Sequence, residues 1–126
     1  MKVAVSAAGQ DLDGPVDSRF GRCGYFIAVE QDTDQWEVIP NSSNASGEGA
    51  GIKTSQMLVN LGIKAVLTGN VGPKAMATLQ AAGVKVYLGA GGTVRESLER
   101  YRRGELTPAQ EPSVGQHHGQ GKGASI

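Results

Sequence analysis

The chain contains a single cysteine, Cys23, and so cannot form an intrachain disulfide. Domains without disulfides belong to reducing compartments, and a cytoplasmic location is expected. Charge of one sign is not in excess either: twelve basic side chains face twelve acidic ones. A dedicated nucleic-acid binder would be clearly basic, so no nucleic-acid partner is expected. No apolar run approaches bilayer-spanning length, and Met1 leads straight into Val3-Ala4-Val5 without a basic stretch before it. Neither a membrane association nor a secretory signal is expected from that pattern. Histidine occurs only at His117 and His118, near the C-terminal end, which leaves no Ser/His/Asp set for nucleophilic catalysis. The phosphate-loop pattern Gly-x-x-x-x-Gly-Lys-Ser/Thr and the dinucleotide pattern Gly-x-Gly-x-x-Gly are both missing.

What the chain has in abundance is glycine, nineteen of 126 residues. That is about twice the usual share, and most of it punctuates apolar segments. Lys2 to Ser6 reads as a short buried strand, Tyr25 to Glu30 as a second and Trp36 to Ile39 as a third. The polar Asp32-Thr33-Asp34-Gln35 between the last two suits a hairpin, and Pro40 ends the third strand. A helix is expected from Ala50 to Leu61, stopped by Gly62 in a left-handed C′ position. The segment Leu58 to Leu67 then repeats as Leu79 to Leu88, each copy joining a helix end, a glycine stop and a buried strand. Pro73 opens one of the following helices. Thr93-Val-Arg-Glu96 opens the other with a capping box, and Glu96–Arg100 and Glu99–Arg103 have the spacing of helical ion pairs.

The element order is therefore βββαβαβα. Short links between alternating strands and helices imply right-handed crossovers and parallel strands. The first strand is expected at the centre, with the hairpin on one side and the crossover strands on the other. This is an α/β fold, a mixed five-stranded sheet in a three-layer α/β/α arrangement. It is expected to occupy residues 1–107, with 108–126 as a flexible Gly/Gln/His-containing tail.

In such a sheet, ligands bind beyond the carboxyl ends of the parallel strands. Four glycine-bearing loops are expected there: Ala7 to Gly24, Asn41 to Gly51, Gly69 to Gly72 and Gly89 to Gly92. Helix N-termini favour anions, and glycine lets the backbone approach them closely. Candidate ligand-binding residues are thus Gly49, Gly51, Gly69, Asn70, Val71, Gly72, Gly91, Gly92 and Thr93, joined by Arg19, Phe20, Gly21 and Arg22. The two guanidiniums suit a polyanion, although Arg19 also has Asp17 and Asp13 at hand for an ion pair. Cys23 reads either as a small buried filler or as a metal-ligating thiolate favoured by the adjacent arginines. His117 and His118 are a further, sequence-only candidate for metal binding.

The blocks Phe20-Gly-Arg-Cys-Gly-Tyr-Phe26, Thr68-Gly-Asn-Val-Gly-Pro-Lys-Ala75, Ala82-Gly-Val-Lys-Val86, Gly92-Thr-Val94 and Tyr101-Arg-Arg-Gly-Glu-Leu106 together resemble the dinitrogenase iron–molybdenum cofactor biosynthesis family. The resemblance covers about residues 1 to 107 and keeps the order and spacing of every block. It implies a ribonuclease H-like layout and a non-catalytic carrier of an anionic metal–sulfur cluster. The family takes in carriers of iron–molybdenum cofactor and its iron–sulfur precursors. It also takes in small orange proteins that hold a molybdenum–copper sulfide cluster without covalent attachment. Several members carry histidine immediately before the Phe-Gly pair, where this chain has Arg19. That departure shifts the expected cargo toward the molybdenum–copper sulfide cluster, held by charge and hydrogen bonds. The family's association with MinD-like P-loop ATPases makes such an ATPase, or a cluster-accepting protein, an expected partner.

An RNase H-like metal-dependent nuclease or phosphatase would need carboxylates on the central strands. The first strand offers none, and Asp11, Asp13 and Asp17 fall in a loop. A pure interaction module is the other alternative, with Trp36 on the hairpin as its one large candidate anchor.

Overall fold

The computed structural model describes residues 1–45 and 47–113, apart from the side chain of Glu48. His117 and His118 lie outside the described residues. Five strands form one sheet: β1 (Lys2–Ala7), β2 (Tyr25–Glu30), β3 (Trp36–Pro40), β4 (Ile63–Leu67) and β5 (Lys85–Tyr87). Among the described residues three α-helices, α1 (Ala50–Asn60), α2 (Pro73–Ala81) and α3 (Val94–Arg102), complete the order βββαβαβα, with a 3-10 turn over Gly47–Gly49 leading into α1. The strands lie in the order β3-β2-β1-β4-β5, with β1 in the centre. β1 pairs antiparallel with β2 and parallel with β4, so the sheet is mixed.

Alternation along the strands divides the apolar side chains between two cores. Ala4, Phe26, Ala28, Val66 and Val86 point to one face, where Leu58 of α1 and Ala75, Met76 and Leu79 of α2 cover them. Val3, Val5, Ile27, Val29, Leu67 and Tyr87 point to the other, against Val94 and Leu98 of α3. Ile63 joins the first core although Ala65, two positions on, joins the second. The register shift between Lys2 and Val3 accounts for that change of side. The three layers are thus α1 and α2, the sheet, and α3.

α1 and α2 end alike. Gly62 has φ +82° and Gly83 has φ +79°, the left-handed conformation in which glycine meets no Cβ penalty. α3 begins with the anticipated capping box: Thr93 Oγ1 accepts from the Glu96 amide at 3.0 Å, and the Glu96 carboxylate accepts from the Thr93 amide at 2.8 Å. The helical ion pairs expected from spacing give way to others. Glu96 is engaged by the cap, Arg103 reaches Glu105 at 2.7 Å, and Arg102 reaches Asp34 at 2.8 Å.

The chain stays attached to the domain past residue 107. Pro108 bridges to Tyr87, and the Ala109 amide donates to Val86 O at 2.7 Å. Ser113 meets Val71 in the β4–α2 loop. The expected boundary at 107 ignores these contacts, because a polar Gly/Gln/Pro composition carries no sign of a strand edge in need of cover. No helix among the described residues is long and apolar enough to cross a membrane.

Candidate functional site

Two parallel strands, β1 and β4, deliver their carboxyl ends to the same side of the sheet, and the loops that follow are stitched together by backbone bonds. The Asn70 amide donates to Ser18 O at 2.7 Å, and the Phe20 amide donates to Asn70 O at 3.2 Å. Gly69 is the enabling residue. A Cβ there would lie 2.6 Å from Ser18 Cβ and 2.8 Å from Ser18 Cα, closer than atoms pack. Gly21 meets Gly51 in the same way: a Cβ on Gly21 would stand 3.1 Å from the Gly51 Cα and nitrogen. Gly51 in turn is close to Ala75, at 3.2 Å from a built Cβ, so turn, α1 and α2 stack backbone to backbone.

This stack forms the floor of a cleft of about 680 Å³. Arg19, Phe20, Gly21, Arg22, Gly51, Asn70, Val71 and Gly72, all expected at the site, line it. Six more residues do so that sequence reasoning missed: Gly47, Ala50, Ile52, Pro73, Lys74 and Ala75. Most of these lie in the first turns of α1 and α2, which the placement of both helix starts on this rim could have flagged. Gly49 stands directly before α1 without lining the cleft, and Gly69 lies behind it against Ser18.

The fourth expected loop goes elsewhere. Val16 donates its amide to Gly92 O at 2.9 Å, and Pro15 bridges to Thr93. Gly92 has φ +70° and packs on the Glu96 carboxylate of the capping box. Gly91 O accepts from the buried Ser97 hydroxyl at 2.8 Å. Gly91, Gly92 and Thr93 therefore serve the start of α3 and do not line the cleft. The N-terminus of α3 already has its own side-chain partners.

The other two helix starts differ. Neither α1 nor α2 has a side-chain cap, and neither carries an acidic residue in its first turn. The 3-10 turn over Gly47–Gly49 runs directly into α1, whereas α2 opens from the extended Gly72. First-turn residues of both helices line the cleft, so the positive ends of both dipoles lie beside it. Arg19, Arg22 and Lys74 add three cationic side chains, with no carboxylate among the described lining residues. Ile52 and Pro73 supply apolar surface between them, with the buried Phe20 and Val71 behind.

Arg19 makes a two-pronged pair with Asp17, Nε to Oδ1 at 3.1 Å and Nη2 to Oδ2 at 3.0 Å. That pair holds the Asp17 carboxyl below its ordinary range, against a smaller opposing push from burial. The Arg19 side chain is still 65% exposed and lines the cleft. Asp13 instead binds Arg95, at 2.9 Å. Arg22 donates to Asn44 O at 3.3 Å and Gly47 O at 3.2 Å, which holds the β3–α1 loop beside α1.

Cys23 departs from the expectation of a thiolate ligand. It has no exposed surface, and its thiol donates to Phe20 O at 3.4 Å. Burial, with Asp17 as a lesser contributor, pushes the thiol up to about 12, so the nearby arginines do not ionise it. Cys23 belongs to the core cluster with Phe20 and Phe26, whose rings meet edge-on at 5.5 Å.

Beneath the turn lies Asn41, which sequence reasoning passed over. Its amide nitrogen donates to Cys23 O at 2.9 Å and Gly21 O at 3.2 Å, while its oxygen accepts from Thr54 at 3.0 Å. One buried side chain thereby ties the Phe20–Gly24 turn to the β3–α1 loop and to α1. Its position directly after Pro40, where a strand stops and free carbonyls begin, is the only hint in the sequence.

Fold and site together define a small α/β protein with a cationic, glycine-floored cleft between two uncapped helix starts. The chain belongs to the dinitrogenase iron–molybdenum cofactor family, whose model matches residues 1–104. It is similar to the apo form of the orange protein from Desulfovibrio gigas, with 43% identity, a TM-score of 0.87, and coverage of 90% of this chain and 96% of that one. A NifB-like protein from Thermotoga is 40% identical with a TM-score of 0.76, covering 85% of this chain and 91% of its own. An uncharacterized protein of Methanocaldococcus jannaschii is 28% identical over 73% of this chain and 85% of its own length.

Proposed function

We propose that the chain is a non-catalytic carrier of an anionic metal–sulfur cluster, seated without covalent attachment in the cleft between α1 and α2. The observation that carries this reading is the cleft's wall: three cationic side chains and two uncapped helix starts, interleaved with apolar surface. A cluster already furnished with sulfides needs no protein ligand for its metals. It needs neutralisation of its charge, amide donors to its sulfurs, and apolar contacts for its large, weakly hydrated surface. The described lining residues include no thiol or imidazole, which suits capture of a complete cluster.

Among such cargoes a molybdenum–copper sulfide cluster is favoured, in line with the 43% identity to the orange protein. Iron–molybdenum cofactor or its precursor is the second reading, supported by the family match and by the NifB-like neighbour. Delivery to a cluster-accepting protein or a MinD-like ATPase is part of the same proposal. Of the three loop carboxylates considered for a nuclease, Asp13 pairs with Arg95 and Asp17 with Arg19, while Asp11 accepts from the Asp13 amide.

The test is anaerobic purification followed by incubation with tetrathiomolybdate and copper(I). Protein retaining molybdenum, copper and sulfide through gel filtration, with a visible spectrum distinct from free tetrathiomolybdate, supports the proposal. A colourless, metal-free product after the same treatment contradicts it.

A further inference from the structure

Val71 lines the cleft, yet its peptide group is held from outside the site, by the last described residue of the chain. The Val71 amide donates to Ser113 Oγ at 2.9 Å, and the Ser113 amide donates to Val71 O at 3.1 Å. The same hydroxyl lies 3.4 Å from Val71 O, a direction open to its own proton. This two-way clasp lies on a strap that begins at the buried Leu106. Pro108 and Ala109 cover the outer edge of β5 through the Tyr87 bridge and the bond to Val86 O. Gln110 O then accepts from the Gln80 side chain at 3.1 Å, in the last turn of α2. Three residues later Ser113 reaches Val71, just ahead of the first turn of α2. The strap therefore runs the length of α2, from its carboxyl end to its amino end.

We infer that this strap is part of the ligand site, with Ser113 as a positioning residue that sets the β4–α2 loop from behind. Other backbone bonds fix the loop's first residues: Gly69 O accepts from the Gly89 amide at 3.2 Å. Asn70 is held through its backbone by Ser18 and Phe20, whereas Gly72 opens α2 without a side-chain cap. Between them, Val71 carries the chain into α2, and its carbonyl shares a peptide group with the Gly72 amide. Ser113 satisfies the Val71 amide and carbonyl together, so it holds the two peptide planes on either side of Val71, the second of which carries the Gly72 amide. Because the clasp and the occupant bias the same loop, binding in the cleft must tighten the clasp by the factor by which the clasp tightens binding.

This inference rests on the proposed cleft for its functional half, and on the Val71–Ser113 geometry alone for its structural half. The experiment uses the full-length chain and three variants: Ser113→Ala, Ser113→Thr and Ala109→Pro. Amide exchange is followed at Val71 without ligand, and affinity is measured for tetrathiomolybdate with copper(I). Ser113→Ala should speed exchange at Val71 selectively, leaving β4 amides protected, and should weaken binding by about three- to ten-fold, the worth of one net hydrogen bond. Ser113→Thr keeps the hydroxyl and should restore both readouts. Ala109→Pro deletes the amide that donates to Val86 and should release the clasp without touching it. Unchanged Val71 exchange in Ser113→Ala overturns the inference, as does unchanged affinity in a chain that binds the probe. If the parent chain does not bind the probe, the cleft proposal falls, and Val71 exchange alone decides the clasp.

Discussion

Arg19 and Cys23 lie on one short turn, yet the first is largely exposed and the second wholly buried. Their chemistry diverges accordingly. Arg19 keeps a permanent charge at the cleft edge, with Asp17 orienting its planar head. Removing it as Arg19→Ala should weaken cluster retention about ten-fold or more, as loss of a charged hydrogen-bonding group does. Cys23→Ala should leave retention within about two-fold, because nothing of the thiol reaches the cleft. A reversed ranking in the elemental analysis would restore thiolate ligation.

The buried thiol also makes a prediction about pH. Its proton is held to about 12 in the folded chain, against an ordinary value of 9.0. The folded state therefore binds the proton more tightly than the unfolded state does. That contribution is fully present below pH 9 and is lost as pH rises toward 12, at about 1.4 kcal/mol per pH unit. Stability from urea melts between pH 8 and 11 should fall more steeply in the parent chain than in Cys23→Ala, where the raised N-terminal amine and Tyr101 still contribute with the same sign. The sequence left Cys23 open between ligand and filler because neighbouring arginines were visible and the depth of burial was not. Asn41 was illegible for a related reason: its four partners come from three separate segments.

At the scale of elements, the glycines separate into those that join loops and those that only turn them. Gly69→Ala would drive a methyl group into the Ser18 backbone, so the β1–β2 connection and the β4–α2 loop must part. A loss of about 1–3 kcal/mol is expected by thermal or urea melting, together with loss of cluster binding. Gly91→Ala meets open space and should stay within about 0.5 kcal/mol with binding intact. Thr93→Ala removes the α3 cap and should cost about 1 kcal/mol, again with binding intact. Binding lost in Thr93→Ala without a change in melting would return the Gly89–Thr93 loop to the site. Strands, helix starts and glycine stops were legible because each depends on local periodicity and capping chemistry. Which loops share a cleft was not, because that depends on the Val16–Gly92 and Ser18–Asn70 pairings.

Over the whole molecule, acidic side chains of the β1–β2 connection and the β2–β3 hairpin meet basic ones of α3, through Asp13–Arg95 and Asp34–Arg102. Both pairs are exposed and worth little singly. They leave Arg19, Arg22 and Lys74 gathered at the opposite layer, around the starts of α1 and α2. The sheet order placed β1 in the centre as its short apolar run suggested. The strap along α2 was hidden by a composition that resembles a free tail. The central claim is that the cleft between the two uncapped helix starts receives the cluster. An amide-resolved NMR titration with tetrathiomolybdate and copper(I) tests it most directly. With the cluster in the cleft, shifts should concentrate at Gly21, Gly51, Asn70, Gly72 and Lys74, with Gly91, Gly92 and Trp36 unmoved. Shifts centred on Gly91 to Thr93 or on the hairpin, with the cleft amides silent, would contradict it.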